Sequence, residues 1–278
     1  MVQSKDELSL LTLNTHSLMQ PDNEMCFREL VHAIREEQVD VIALQEVNQS
    51  EEAPLVSDED LKQSGFYNCG FSIRRNNYAY TLARMLREED SSFTWSWMFA
   101  HMGYDTFEEG LAILCRGEMS DVIATQVSPP GIQGARVILT GILSGIAFSS
   151  IHFGWWGDER DPFVNQWHMA STLFDRVPMK HYLLGDFNNP SHKRGEGYDL
   201  IISSGWRDCY TRALDRDSGV TVGGMIDGWC NQQVDPMRID LVFSSTDGVT
   251  LSSKVIFNGT NRPVISDHFG VITKEKLR

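Results

Sequence analysis

The sequence predicts an α/β domain built on mixed sheets, and three observations lead there. Apolar runs of strand length recur along the whole chain. Three segments carry helical periodicity. The two kinds follow each other in irregular order, whereas strict alternation would point to a Rossmann or barrel fold.

The elements read in order as follows. Ser9 to Asn14 is a short apolar run that ends at an amide. Glu24 to Glu37 places Phe27, Leu30, Val31 and Ile34 at helical spacing. Val41 to Glu46 runs apolar and stops at a carboxylate. Val47 to Ile73 reads as a long irregular segment of the kind that shapes a cleft. Asn77 to Arg87 is a helix with Leu82, Met85 and Leu86 inward. Strands follow at Thr94 to Ala100, Leu111 to Arg116, Arg136 to Leu143 and Ile146 to Phe153, the last carrying His152. Pro162 to Val177 is helical, with Asp161 as its cap and Pro162 at the first helical position. His181 to Leu184 leads into Gly185-Asp186-Phe187-Asn188-Asn189-Pro190, a turn-forming cluster that must leave the core. Val220 to Asp235 reads as a second irregular segment, and Ile239 to Phe243, Val255 to Phe257 and Phe269 to Thr273 as strands.

Composition narrows the classes. The chain has 278 residues, and its 41% hydrophobic fraction suffices for a substantial core. We read residues 1–278 as one catalytic domain. No run has the length of a transmembrane helix, and Met1 to Glu7 does not read as a signal peptide. The five scattered cysteines, Cys26, Cys69, Cys115, Cys209 and Cys230, include no C-x-x-C pair, which points to free thiols in the cytoplasm. Cys115 and the tryptophans Trp95, Trp97, Trp167 and Trp206 read as core. A formal charge of −14 disfavours a polymeric nucleic-acid substrate, since such binding draws its affinity from neutralised phosphates.

The polar strand ends carry the chemistry. Asn14, Glu46, His152, Asp186, Asn188, Asp240, Asp267 and His268 supply carboxylates, imidazoles and amides. Such a set suits a hard divalent cation and acid/base work on a phosphate ester. Each has a plain structural reading as well. Asp186 and Asn188 can stabilise a turn, and Asp240, flanked by apolar residues, needs a partner that His268 can supply. His16, His101, His168, His181 and His192 read as structural or surface residues, although His16 neighbours Asn14.

The ordered set Leu13-Asn14, Gln45-Glu46, Ile151-His152, Gly185-Asp186-Phe187-Asn188, Arg238-Ile239-Asp240 and Ser266-Asp267-His268 resembles the endonuclease/exonuclease/phosphatase superfamily. The resemblance implies a four-layer αββα sandwich, two mixed sheets flanked by helices, and phosphoester hydrolysis with magnesium, or alternatively manganese. It implies Glu46 as principal metal ligand and Asp267 as a second metal-side carboxylate. Asp186 would orient or deprotonate the attacking water. Asn188 and Asn14 would hold phosphate oxygens or the metal-bound water, His268 would contact the phosphate under the control of Asp240, and His152 would lie near phosphate and leaving group. Many nucleases of this family carry an acid two positions after the first asparagine. His16 stands there in this chain, a departure that weakens the case for a second metal ligand at that position.

Leu11 to Ser17, Asn77-Tyr78-Ala79, His101 to Asp105, Glu108 to Leu114 and His152-Phe153-Gly154-Trp155-Trp156 resemble, more narrowly, bacterial phosphatases of the maltose 6'-phosphate phosphatase type. On that resemblance the substrate is a small phosphorylated sugar. Trp155 and Trp156 would face the sugar rings. Tyr104, Asp105, Glu109 and His16 complete the candidate substrate contacts. The rivals on the same scaffold are a nuclease and a sphingomyelinase-like phosphodiesterase; a non-catalytic binding module is a third reading. Neither a membrane nor an oligomeric partner is assigned.

Overall fold

The computed structural model describes residues 6–224 and 234–277. Residues 1–5, residues 225–233 with Cys230 in the middle of the expected irregular segment Val220 to Asp235, and residue 278 lie outside them.

β1 (Glu7–Asn14), α1 (Asn23–Glu36) and β2 (Val41–Ser50) open the chain. α2 (Asp58–Gln63), α3 (Tyr78–Arg87) and the hairpin β3 (Phe93–Gly103) and β4 (Phe107–Arg116) follow. Next come β5 (Asp121–Gln126), β6 (Val137–Leu143), β7 (Ile146–His152), α4 (Phe163–Phe174) and β8 (His181–Asp186). Short pieces succeed them: α5 (Gly197–Ser203), β9 (Arg207–Asp208), α6 (Cys209–Arg212), β10 (Asp215–Arg216), β11 (Val222–Gly224) and β12 (Val234–Met237). β13 (Asp240–Ser244), β14 (Val249–Ile256) and β15 (Gly270–Lys276) close the fold.

One sheet has seven strands in the order β10-β14-β15-β1-β2-β4-β3, and the other six in the order β5-β6-β7-β8-β13-β9. Both are mixed, and each contains a parallel pair joined by a helix: β1 and β2 through α1, β7 and β8 through α4. Ligand sites of open α/β sheets gather beyond the carboxyl ends of such strands.

Alternation along each strand builds the layers. In β1, Leu10 faces the core between the two sheets, and Leu11 and Leu13 face α1 and α3. In β2, Val41 and Ala43 point inward and Ile42 and Leu44 outward. The central core joins these to Leu139, Phe148, Leu184 and Val242 of the other sheet. On that sheet's far side Leu183, Leu241 and Phe243 pack on Phe163, Trp167 and Phe174 of α4 and on Ile201 of α5. The result is helix, sheet, sheet, helix. Strands buried on both faces read as continuous apolar runs, which is why the sequence showed runs rather than alternation.

The differences from expectation have local causes. β2 does not stop at Glu46 but continues to Ser50, so the expected irregular segment from Val47 begins in a strand and also contains α2. β5 was not foreseen, because an edge strand that is half-buried in its middle and exposed at both ends carries no long apolar run. Asp161 does not cap α4: the residue before the helix is Pro162, with no side-chain cap, because the Asp161 carboxylate is engaged by Ser128 Oγ at 2.5 Å and Gln166 Nε2 at 2.9 Å.

The start of β8 carries a buried titratable group. His181 is 2% exposed, lies edge-on to Phe174 and Trp206, and shares a 2.8 Å hydrogen bond between Nε2 and Ser149 Oγ. Burial pushes its pKa down to about 4. The unfolded imidazole takes up a proton near 6.5, so between 6.5 and 4 the unfolded state binds more protons and stability falls as pH falls. From pH 7 to 5 this group alone is expected to remove about 2 kcal/mol. Urea unfolding of the wild type and His181→Phe at both pH values checks it: the variant should show the smaller loss, and equal losses would contradict the assignment.

Candidate active site

Strand register assembles the first half of the site. His152 at the end of β7 is the parallel partner of Asp186 at the end of β8, and Asp186 is the antiparallel partner of Asp240 at the start of β13. Three polar side chains thus stand in one row across three adjacent strands. Gly185 permits the row, since a Cβ there would lie 1.9 Å from the carbonyl oxygen of Ile151 on β7. Any larger residue would push β7, and with it His152, away from Asp186.

The facing sheet supplies the other half. Asn14 ends β1 beside Gln45 of β2. The β2–β4 register then slips between Leu44 and Val47, and Glu46 takes a positive φ of 51°. This is a β-bulge, which re-aims a side chain that regular pleating would send elsewhere. The bulge sits against Gly110, the partner of Val47, where a Cβ would lie 2.0 Å from the Met98 carbonyl oxygen.

Asn14 connects the halves. Its Nδ2 donates to Glu46 Oε1 at 2.8 Å and to Asp186 Oδ2 at 3.3 Å. Below it, Gln45 Nε2 donates to Ser150 Oγ at 3.1 Å, a second bond between the sheets. The loop before β15 is fastened here too, Ser266 Oγ donating to the Asn14 carbonyl at 2.7 Å. That places His268 with Nδ1 3.0 Å from Asp240 Oδ2. Asn188, at φ 50°, donates its backbone N–H to Asp186 Oδ1 and its side-chain amide to the Phe153 carbonyl, both at 2.9 Å.

The electrostatics are strongly perturbed. Burial pushes the Asp186 carboxyl up to about 7, with the Asp240 charge adding to it and His268 opposing. Burial also raises Glu46, and the charges of Glu109 and Asp267 carry it to about 8. For His268, burial opposes the charged form, but Asp240 and Asp186 outweigh it and carry the imidazole up to about 10. His152 moves the other way, held well below 6.5 by burial and then by Arg136, His101 and His268. Its 3.5 Å contact with Asp186 is therefore that of a neutral imidazole, not an ion pair.

These groups open on a cleft of about 430 Å³. Glu46, His152, Asp186, Asn188 and His268 line it, together with Tyr104, Glu109 and Trp155. Asn14 and Asp240 lie beneath, 1% exposed. The amide of Asn14 is directed to the two acids, so the expected phosphate ligand is a bridge instead. Asp267 is half-buried beside them and bonded to Ser266 Oγ. Three expected substrate contacts fall outside the lining. Trp156 packs on Phe163, Asp105 is exposed on the β3–β4 turn, and His16 is turned to Gln20 and the Tyr104 hydroxyl.

The whole sequence between residues 11 and 268 matches the model of the Endonuclease/Exonuclease/phosphatase family. The chain belongs to that family. A solved endonuclease/exonuclease/phosphatase family protein from Leptotrichia buccalis C-1013-b superposes with a TM-score of 0.81 at 28% identity, over 97% of this chain and 100% of that one. The mannosyl-6-phosphatase Bt3783 of Bacteroides thetaiotaomicron VPI-5482 gives 0.68 at 15% identity, over 97% and 100%. Truncated Caenorhabditis elegans TDP2 gives 0.62 at 16% identity, over 98% of each chain. The last two likenesses show the fold alone. No curated protein matches the sequence.

Enzymes of the endonuclease/exonuclease/phosphatase family are hydrolases, phosphatases and nucleases among them, and in general depend on a divalent metal. The donor set here fits such an ion. Asp186, Asp240 and His268 offer ligand atoms within 4.8 Å of one another. That triad already shares a cation, the proton of His268, because an imidazolium facing Asp240 has no lone pair to give. Glu46 is the better-suited carboxylate. Burial raises its pKa first and the like charges of Glu109 and Asp267 add to it, a repulsion that a bound cation would relieve.

Sequence reasoning missed three cleft residues of this family member. His101, read as structural, lines the cleft with Nε2 3.2 Å from Glu109 Oε1 and Nδ1 3.0 Å from the Ala135 carbonyl oxygen. Arg136 and Arg160 line it as well. The available signals were weak: an arginine opening the apolar run of β6, and one in the acidic loop after Trp156.

The His268–Asp240 pair has a direct check. In the cation-free protein the His268 ring should remain imidazolium past pH 8 and titrate near 10. In Asp240→Asn the charged partner is gone and the titration should move down. Ring nitrogen shifts by NMR report this, and an unchanged midpoint would remove Asp240 as the cause.

Proposed function

We propose that the protein is a divalent-cation-dependent phosphatase of a small phosphorylated saccharide, with one catalytic domain. The observation that carries this reading is the row His152-Asp186-Asp240 joined to Glu46 through the Asn14 amide at the base of a cleft of about 430 Å³. Such a space suits a compact phosphomonoester. The chain's charge of −14 is ill suited to a polymeric phosphate backbone. Trp155 and Tyr104 on the cleft wall offer faces for a sugar ring, and Glu109 and His101 offer polar atoms for hydroxyls.

In this reading Asp186 orients the attacking water and takes its proton. Burial and the Asp240 charge raise its carboxyl to about 7, which makes it a competent base near neutrality. His268, kept protonated by Asp240 and Asp186, presents its other nitrogen to a phosphoryl oxygen. Neutral His152 and the Asn188 side chain flank the phosphate, and Asn14 holds Glu46 and Asp186 at their separation. A divalent cation on Glu46, with Glu109 and Asp267 beside it, would neutralise the charge that develops on the phosphate. The proton taken by Asp186 balances the one the departing sugar hydroxyl acquires, and no covalent intermediate is needed.

Phosphate release from a panel of sugar phosphates, including maltose 6'-phosphate and mannose 6-phosphate, tests the reading with magnesium and with a chelator. Rapid, chelator-sensitive release from a few sugars is expected. Nicking of plasmid DNA with no release from any sugar would replace the phosphatase with a nuclease.

Asp186→Asn should lower kcat by about 1,000-fold with the melting temperature little changed. Wild-type kcat/KM should rise with pH up to about 7, where Asp186 loses its proton. A near-normal variant rate would take Asp186 out of the mechanism, and a flat profile would take away its role as base.

A further inference from the structure

Arg136 stands at the entrance to β6 and lines the cleft with His152, Asp186 and His268. Its guanidinium makes no hydrogen bond or ion pair with any described residue. Other partly buried arginines are paired: Arg74 with Glu108, Arg116 with Asp90 and Arg238 with Asp208. Arg160, on the same cleft, is held by Asp158 at 3.3 Å. The chain carries 38 acidic against 24 basic residues, so a half-buried arginine beside carboxylates and without a partner is unusual here.

Its backbone is firmly held. The Arg136 N–H donates to Ser128 Oγ at 2.6 Å, and its carbonyl accepts from Val127 and Ser128 at 3.0 and 3.2 Å. Ser128 Oγ in turn donates to Asp161, which accepts from Gln166 Nε2. Gln166 Oε1 then accepts the N–H of Gly154, two residues beyond His152. Ser128, Asp161, Gln166 and Gly154 are all buried. A continuous chain of hydrogen bonds therefore fixes the arginine's base relative to the His152 loop. The cation is also felt inside the site, where it helps keep His152 neutral and lowers Asp186.

We propose that Arg136 selects phosphomonoesters over phosphodiesters in this cleft; the inference rests on the phosphatase reading and deepens it. A monoester near neutrality brings two negative charges and three non-bridging oxygens. A diester brings one charge and two such oxygens, its third being blocked by the second alcohol. A guanidinium fork grips two oxygens at once and gains most from the dianion. With the acid side of the cleft at Glu46 and Glu109, Arg136 supplies the second positive wall that a dianion needs and a diester does not. Discrimination is then a difference of two affinities set by one side chain.

The test compares wild type, Arg136→Gln and Arg136→Lys, with magnesium, on p-nitrophenyl phosphate and bis(p-nitrophenyl) phosphate. For Arg136→Gln the monoester kcat/KM should fall by about 100-fold or more while the diester rate changes far less. Arg136→Lys should recover part of the loss, since it keeps the charge and loses the fork. A parallel fall on both substrates, or no fall on either, overturns the proposal. If Arg136→Gln fails to fold by its melting curve, the monoester-to-diester ratio of Arg136→Lys decides, and a wild-type ratio overturns it. A wild type that cleaves only the diester defeats the phosphatase reading itself, whereas a monoesterase with an unaltered ratio in the variants defeats this proposal alone.

Discussion

The two sheets must deliver carboxylates to within hydrogen-bonding distance of one another, and Asn14 is where that constraint is met. Its amide donates to Glu46 on its own sheet and to Asp186 on the other. Neither acid could approach the other closely without a donor between them. The surrounding bonds serve the same spacing: Gln45 to Ser150 between the sheets, and Ser266 to the Asn14 carbonyl from the closing loop. The site is thus a property of sheet packing. A shift of either sheet would change every distance in it at once, and the dense apolar core between them resists such a shift.

Burying these acids is costly, and the fold offsets the cost unevenly. Asp240 has a charged partner in His268, and Asp186 has the Asn14 amide, the Asn188 N–H and the nearby imidazolium. Glu46 has the Asn14 amide and the His268 charge against two neighbouring carboxylates, and burial together with those carboxylates carries its pKa to about 8. Its backbone is also the one placed at positive φ within a strand. A strained carboxylate with like charges beside it is the pattern of a group that completes its coordination with something bound.

Much of this was legible in the sequence because buried strands announce themselves and their ends are polar. The runs carrying Asn14 and His152 became β1 and β7, and the run expected at His181 to Leu184 extends as β8 through Gly185 and Asp186, so the supposed turn cluster through Pro190 stays buried instead of leaving the core. The helices of residues 24–37, 77–87 and 162–177 appeared within a few residues of their expected bounds. The bulge at Glu46 was not legible, since it depends on the register of β4 and on Gly110 more than sixty residues later. Arg136 was invisible, and His101, although it opens a segment that carries the family resemblance, was read as structural or surface for a related reason. A residue on an edge hairpin joins a site only through tertiary packing, which its own sequence neighbours do not specify. Trp156 shows the converse. Adjacent to Trp155 in the chain, it turns into the α4 core while its neighbour faces the cleft.

The Asp161 network shows how a misread local signal came to serve the site. Asp-Pro before an apolar helix is a sound capping pattern, yet the carboxylate here turns to Ser128 and Gln166. Through them it joins the hairpin that carries Arg136 to the loop that carries Trp155. A surface cap would have satisfied one orphan N–H of α4. The buried alternative instead makes two separate segments of the cleft wall move as one. The acid side of the site is fixed by pairing between strands, and the basic side by this chain of side-chain bonds, so each wall is held by its own network.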